Sequence, residues 1–138
     1  MLAPAFFFTL KYAIEEIEKH RNEICRRVGL DEESFNYILS SIILPELRLV
    51  EITNQHIIEK AKQISMRFDP DDYPFIALAL ELDAVIWTND KAIIKCSLIT
   101  NQFLAVDTQS LEYLLKGKDI DYIKNELKKK YLSNPPTK

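Results

Sequence analysis

The stretch DPDDYPFIALALELDAVIWTNDK, residues 69–91, reads as an acidic loop, a buried helix and a short strand ending in a second acid. Residues 75–82 are apolar nearly all round, the pattern of a helix buried on more than one side, and 84–87 are wholly apolar, as in a covered strand. Asp72 stands directly before that helix and Asp90 directly after that strand. Ligand sites in parallel α/β sheets lie at the carboxyl ends of the strands, where converging carboxylates suit a hard cation such as Mg²⁺ or Mn²⁺. Capping explains each acid as well. Asp72 precedes Tyr73-Pro74, with proline in the first helical turn, and Asp90 is placed to cap a short helix over 91–95. The two roles are compatible.

Outward from this segment the chain alternates strand and helix signals. Phe6, Phe7, Phe8 and Thr9 predict a short buried strand, 47–52 a second and 103–106 a further one after 84–87. Between the first two, a helix over 12–28 carries Ala13, Ile14, Ile17, Ile24 and Val28 on one stripe, with Gly29 as a left-handed stop. Asp31 then caps a helix with Phe35, Ile38, Leu39, Ile42 and Ile43 on one face, which Pro45 is expected to break. Thr53 is read as the cap of a helix facing inward through Ile57, Ile58, Ala61 and Ile64, and residues 109–116 and 120–131 as closing helices. Strands joined through helices imply a parallel sheet covered on both faces, an α/β architecture. The chain is read as a single domain over 1–132 with a disordered tail over 133–138.

Composition removes several alternatives. The chain has 138 residues, 47% hydrophobic and 28% charged, which suits one ordinary globular domain. Only Gly29 and Gly117 are present, so the clustered glycines of phosphate-cradling loops are missing. A net charge of -3 argues against a simple DNA-binding module. It does not argue against a metal nuclease, because cations held by acids can themselves attract phosphate. Cys25 and Cys96 form neither a metal-ligand spacing nor a disulfide framework and are read as buried free thiols. The opening MLAPAFFFTL lacks a basic leader, and its apolar run stops at Lys11, so a cytoplasmic location without membrane insertion is expected.

The wording of the central segment resembles the PIN-domain nucleases, which include the toxins of many prokaryotic toxin–antitoxin modules. That family carries an Asp opening an alanine-rich buried helix, then a strand ending in Thr-x-Asp. Here the corresponding residues are Asp72-Tyr73-Pro74-Phe75-Ile76-Ala77-Leu78-Ala79-Leu80 and Ile86-Trp87-Thr88-Asn89-Asp90-Lys91. The likeness is nearest to archaeal-type members with an Ala-Leu-Ala helix and a Trp-Thr-Asn-Asp-Lys turn. It extends back to Tyr12-Ala13-Ile14-Glu15-Glu16-Ile17-Glu18-Lys19-His20, which is similar to the family's Glu-bearing helix. At about 100° per residue Glu16 lies at the edge of the apolar stripe while Glu15 points away, so Glu16 is the acid selected; Glu15 and Glu18 read as a solvated face.

The resemblance implies a three-layer α/β/α fold with a short parallel sheet, and a divalent-metal-dependent ribonuclease. Its catalytic and metal-binding residues would be Glu16, Asp72 and Asp90, with Thr88 and Asn89 orienting the Asp90 carboxylate or simply forming a turn. Asp69 and Asp71 are read as loop acids that strengthen the negative potential rather than as ligands, and His20 is given no role. Mg²⁺ or Mn²⁺ would be the cofactor, single-stranded RNA the substrate, an antitoxin protein a partner and a homodimer the assembly. The family's opening strand and first helix, with the Asp that ends that strand, are not found here, and the first residues look like the family's second strand. Three carboxylates should bind Mg²⁺ more weakly than four. The alternatives are therefore a non-catalytic relative that binds a protein partner or RNA, or a longer gene product of which Met1 is an internal position.

Overall fold

The computed structural model of the chain describes residues 5–132. The expected tail over 133–138 lies outside these residues. Contacts group the chain into two compact units, one made of residues 6–51 and the other of the chain from Ile52 onward.

In the first unit β1 (Phe7–Leu10) runs parallel to β2 (Leu47–Val50), with Phe7 opposite Leu47 and Leu10 opposite Val50. The expected helix over 12–28 is divided at His20 into α1 (Lys11–Lys19) and α2 (Arg21–Val28). The apolar stripe continues across the division, so periodicity could not register it. Beside the division stands Arg21, whose guanidinium bonds Glu18 and, at 3.2 Å, Glu32, and lies 5.5 Å from the centre of the Phe35 ring. Gly29, at φ 74, stops α2 as its sequence position predicts.

Asp31 caps α3 (Glu32–Tyr37) by accepting the Ser34 N–H at 2.6 Å. Winding then continues past the expected break, as a π-helical turn over Ile38–Ile43 and a 3₁₀ turn over Leu44–Glu46 that contains Pro45. A proline in the first turn of a new helical segment lacks only an N–H that would have no partner there. The Ser40 hydroxyl donates to the Asn36 carbonyl at 2.7 Å, an interaction that favours loosening of the helix where it widens.

The second unit opens with α4 (Gln55–Ser65), capped by Asn54 rather than by Thr53. The Asn54 side-chain oxygen accepts from the N–H groups of His56 at 3.0 Å and Ile57 at 3.2 Å. Thr53 is one residue too early for that reach. A 3₁₀ turn over Pro70–Asp72 leads into α5 (Tyr73–Leu82), then β3 (Ile86–Trp87), α6 (Lys91–Thr100), β4 (Ala105–Val106), α7 (Thr108–Leu115) and α8 (Ile120–Tyr131). Helix α6 is twice the length its acidic cap suggested, because Ile93, Ile94, Cys96 and Ser97 are all buried and hold it down.

β3 and β4 pair in parallel, Ile86 opposite Ala105 and Trp87 opposite Val106. Ala61 of α4, Ile76 and Ala77 of α5 and Cys96 of α6 form one packed cluster. Ile93 and Ile94 of α6, Val106 of β4 and Ile123 and Leu127 of α8 belong to another. Each fully buried Ile or Leu contributes about 1.5–3 kcal/mol relative to exposure, so α8 is an integral part of this core. Cys96 is buried as expected, its thiol 3.7 Å from the Ile64 carbonyl, whereas Cys25 is only half buried. Among the described residues, no helix is long and apolar enough to cross a membrane.

Candidate metal centre

Asp72 is carried by the junction of the 3₁₀ turn and α5, in the cap position its sequence predicts, yet its side chain accepts no capping hydrogen bond. One of the two amides a cap normally serves belongs here to Pro74, which has no N–H. The Oδ2 atom of Asp72 is buried without a hydrogen-bond partner among the described residues. Burial, reinforced by the negative charges of Asp69 and Asp90, pushes the carboxyl up to about 6. Capping therefore does not account for Asp72.

Asp90 does serve as a cap. It follows β3 through Thr88 and Asn89, and its Oδ1 accepts the Ala92 N–H at 2.8 Å at the start of α6. The backbone leading to it is held twice. Thr88 donates its N–H to the Val106 carbonyl at 2.9 Å, and the Thr88 hydroxyl accepts the Asp90 N–H at 3.0 Å. The Thr88 hydroxyl thus forms a local turn with the Asp90 backbone and does not touch the Asp90 carboxylate. The Asn89 side chain is exposed and bonds none of the described residues.

Asp69 completes the cluster. It caps the 3₁₀ turn through the Asp71 N–H at 3.2 Å, and one carboxylate oxygen from each of Asp69, Asp72 and Asp90 falls within 4.8 Å of the others. The residue expected as a loop acid therefore stands beside Asp72 and Asp90. As the cap of the 3₁₀ turn, Asp69 stands three residues before Asp72, whose N–H its carbonyl accepts at 3.0 Å. The signal available was a proline directly after the first acid of Asp69-Pro70-Asp71-Asp72.

Glu16 belongs to the other unit. It lies on α1, half exposed, with Lys19 at 3.9 Å and His20 at 3.8 Å. Glu18 pairs with Arg21, and His20 stands between Glu16 and Glu23 at the helix division.

Three carboxylates this close repel one another. A proton or a cation relieves that repulsion. Carboxylate oxygens are hard donors of the kind Mg²⁺ and Mn²⁺ prefer, and the orphaned Asp72 oxygen is available to such an ion. The donor set fits a divalent cation.

A further carboxylate, at the end of β4, was not singled out by sequence. Asp107 is buried, and its Oδ1 caps α7 by accepting the Ser110 N–H at 2.8 Å. Its Oδ2 accepts from the Lys130 ammonium at 2.7 Å and the Tyr131 hydroxyl at 2.8 Å. Burial alone would raise this acid, but those three donors outweigh it and hold the carboxyl at about 2. Asp107 is satisfied where Asp72 is not. Its position one residue beyond an apolar strand was visible, but partners more than twenty residues away were not.

A family model described as PIN domain matches residues 2–116. The chain belongs to the PIN-domain family, whose members generally bind divalent metal ions. Its short parallel strand pairs and abundant helices are those of a small α/β fold of that kind. No curated protein and no solved structure matches the chain.

Proposed function

We propose that this PIN-domain protein is a divalent-metal-dependent ribonuclease that hydrolyses phosphodiester bonds of single-stranded RNA. The observation that carries the reading is the buried, unpartnered Oδ2 of Asp72 in a cluster with Asp69 and Asp90. Asp72 and Asp90 would hold Mg²⁺ or Mn²⁺, and Glu16 on α1 is the further acid that the family resemblance assigns to catalysis. A cation bound there would supply Lewis acidity for the scissile phosphate and lower the pKa of a coordinated water. Below about pH 6 Asp72 holds a proton; above it the carboxylate is charged and competent to take a cation. Asp90 is oriented by its bond to the Ala92 N–H, which restricts the direction its remaining lone pairs face.

The test is cleavage of single-stranded RNA with Mn²⁺ by the wild type, Asp72→Asn and Asp90→Asn. Loss of at least a hundredfold in each variant is expected, on the scale of removing a group that stabilises a transition-state charge. Equal activity in all three would contradict the assignment. The proposal extends to a cytoplasmic homodimer restrained by an antitoxin protein; for the dimer alone, the exposure of Phe6, Phe8 and Leu49 on or beside the strands of the first unit is the support. Sedimentation of the purified chain as a monomer at micromolar concentration would overturn the dimer.

A further inference from the structure

Asp107, Lys130 and Tyr131 make no obvious contribution to a metal site, yet they are joined to one through a short series of hydrogen bonds. The β3–β4 pair is two residues long on each side. Such a ladder has little intrinsic stability. At its far end the Val106 carbonyl accepts the Thr88 N–H at 2.9 Å, and the Trp87 indole N–H donates to the Thr108 hydroxyl at 3.0 Å. Val106 and Thr108 flank Asp107. Thr88 in turn receives the Asp90 N–H on its hydroxyl. Whatever immobilises Asp107 therefore immobilises the backbone from which the Asp90 carboxylate projects.

That anchor comes from α8. Ile123 and Leu127 are fully buried in the core, so the helix is fixed along its length, and its last turn delivers Lys130 and Tyr131 to the Asp107 Oδ2. Helix α8 begins at Ile120, beyond the last residue matched by the family model. We propose that α8, through the Lys130–Asp107–Tyr131 lock, is the device that positions Asp90 for the metal centre. Lys130, Asp107 and Tyr131 are positioning residues and touch neither metal nor substrate. The inference rests on the metal-dependent reading above for its functional meaning, and on the hydrogen-bond series alone for its structural content.

Amide hydrogen exchange separates the two. In full-length Lys130→Met/Tyr131→Phe, protection of the Thr88 and Asp90 amides is expected to fall about tenfold while that of α4 and α5 amides stays as in the wild type. The exposed Lys128→Met serves as control and should leave all of them unchanged. Unaltered protection at Thr88 and Asp90 would overturn the proposal. So would a uniform fall across α4, α5 and the strands, which marks general destabilisation. Mn²⁺ titration of the same proteins gives the functional arm. Affinity should drop at least threefold in the double variant and recover in Lys130→Arg with Tyr131 intact; equal affinity in all would remove the link to the site. If the wild type binds no Mn²⁺, the ribonuclease reading fails, and the exchange result still decides whether the lock holds Asp90.

Discussion

Two of the aspartates with shifted acidity, Asp72 and Asp107, respond oppositely to pH, and the sign follows from their surroundings. Asp72 is raised from 3.8 to about 6 in the folded chain, so folding favours its neutral form. Its contribution is harmless at pH 4 and becomes destabilising as pH rises through the window between those values. The full shift would correspond to about 3 kcal/mol, and partial exposure to solvent reduces this to about 1 kcal/mol. Asp72→Asn should therefore raise the melting temperature of metal-free protein at pH 7.5 and leave it nearly unchanged at pH 4. Thermal unfolding with a chelator present measures this; a lower melting temperature at pH 7.5 would mean the Asp72 charge is compensated. Asp107, held at about 2, behaves in the reverse sense. Its stabilisation is present above pH 4 and is lost as pH falls toward 2. Asp107→Asn should cost about 2 kcal/mol at neutral pH by weakening its interactions with Lys130 and Tyr131, a difference that urea unfolding resolves and that should vanish near pH 2.

At the scale of elements, local chemistry was legible wherever one residue decides the outcome. Gly29 stops α2 and Asp31 starts α3 for reasons visible in the sequence, because a left-handed stop and a short acidic cap act within four residues. The division at His20 was not, since the apolar stripe passes through it and Arg21 reaches Glu32 and Phe35 from outside the periodic pattern. Thr53 and Asn54 are both competent caps, and only the backbone decides between them. Asn54→Ala should cost about 1 kcal/mol and Thr53→Ala less than half of that, as measured by chemical unfolding. Equal losses would show that the helix starts one residue earlier. In the acidic cluster, the positions of Asp72 at a helix start and Asp90 after a strand end were readable. Asp69 was not, because a three-residue 3₁₀ turn has no periodicity to display.

For the whole molecule, the parallel α/β pattern followed from strands recurring between helices, and each of the four predicted strands is present at or within its expected bounds to about a residue or two. The contribution of α8 was harder to foresee. Its inward residues Ile123 and Leu127 were legible from helical spacing, but their partners on α6 and β4 depend on tertiary packing. Removing residues 117–138 leaves the segment matched by the family but opens the core around Ile94 and Val106. Loss of two such side chains costs about 3–6 kcal/mol, a large part of the stability of a small domain. The shortened chain should show lost near-ultraviolet circular dichroism and aggregation at 37 °C; a cooperative melt like that of the full chain would contradict the role given to α8.

Calorimetric titration with Mn²⁺ at pH 7.5 tests most directly whether Asp69, Asp72 and Asp90 together form a cation site. The full-length protein should bind Mn²⁺ with millimolar or tighter affinity, and binding should disappear in Asp72→Asn and in Asp90→Asn while both variants remain folded. Absence of binding by the wild type, or undiminished binding by the folded variants, would contradict such a site.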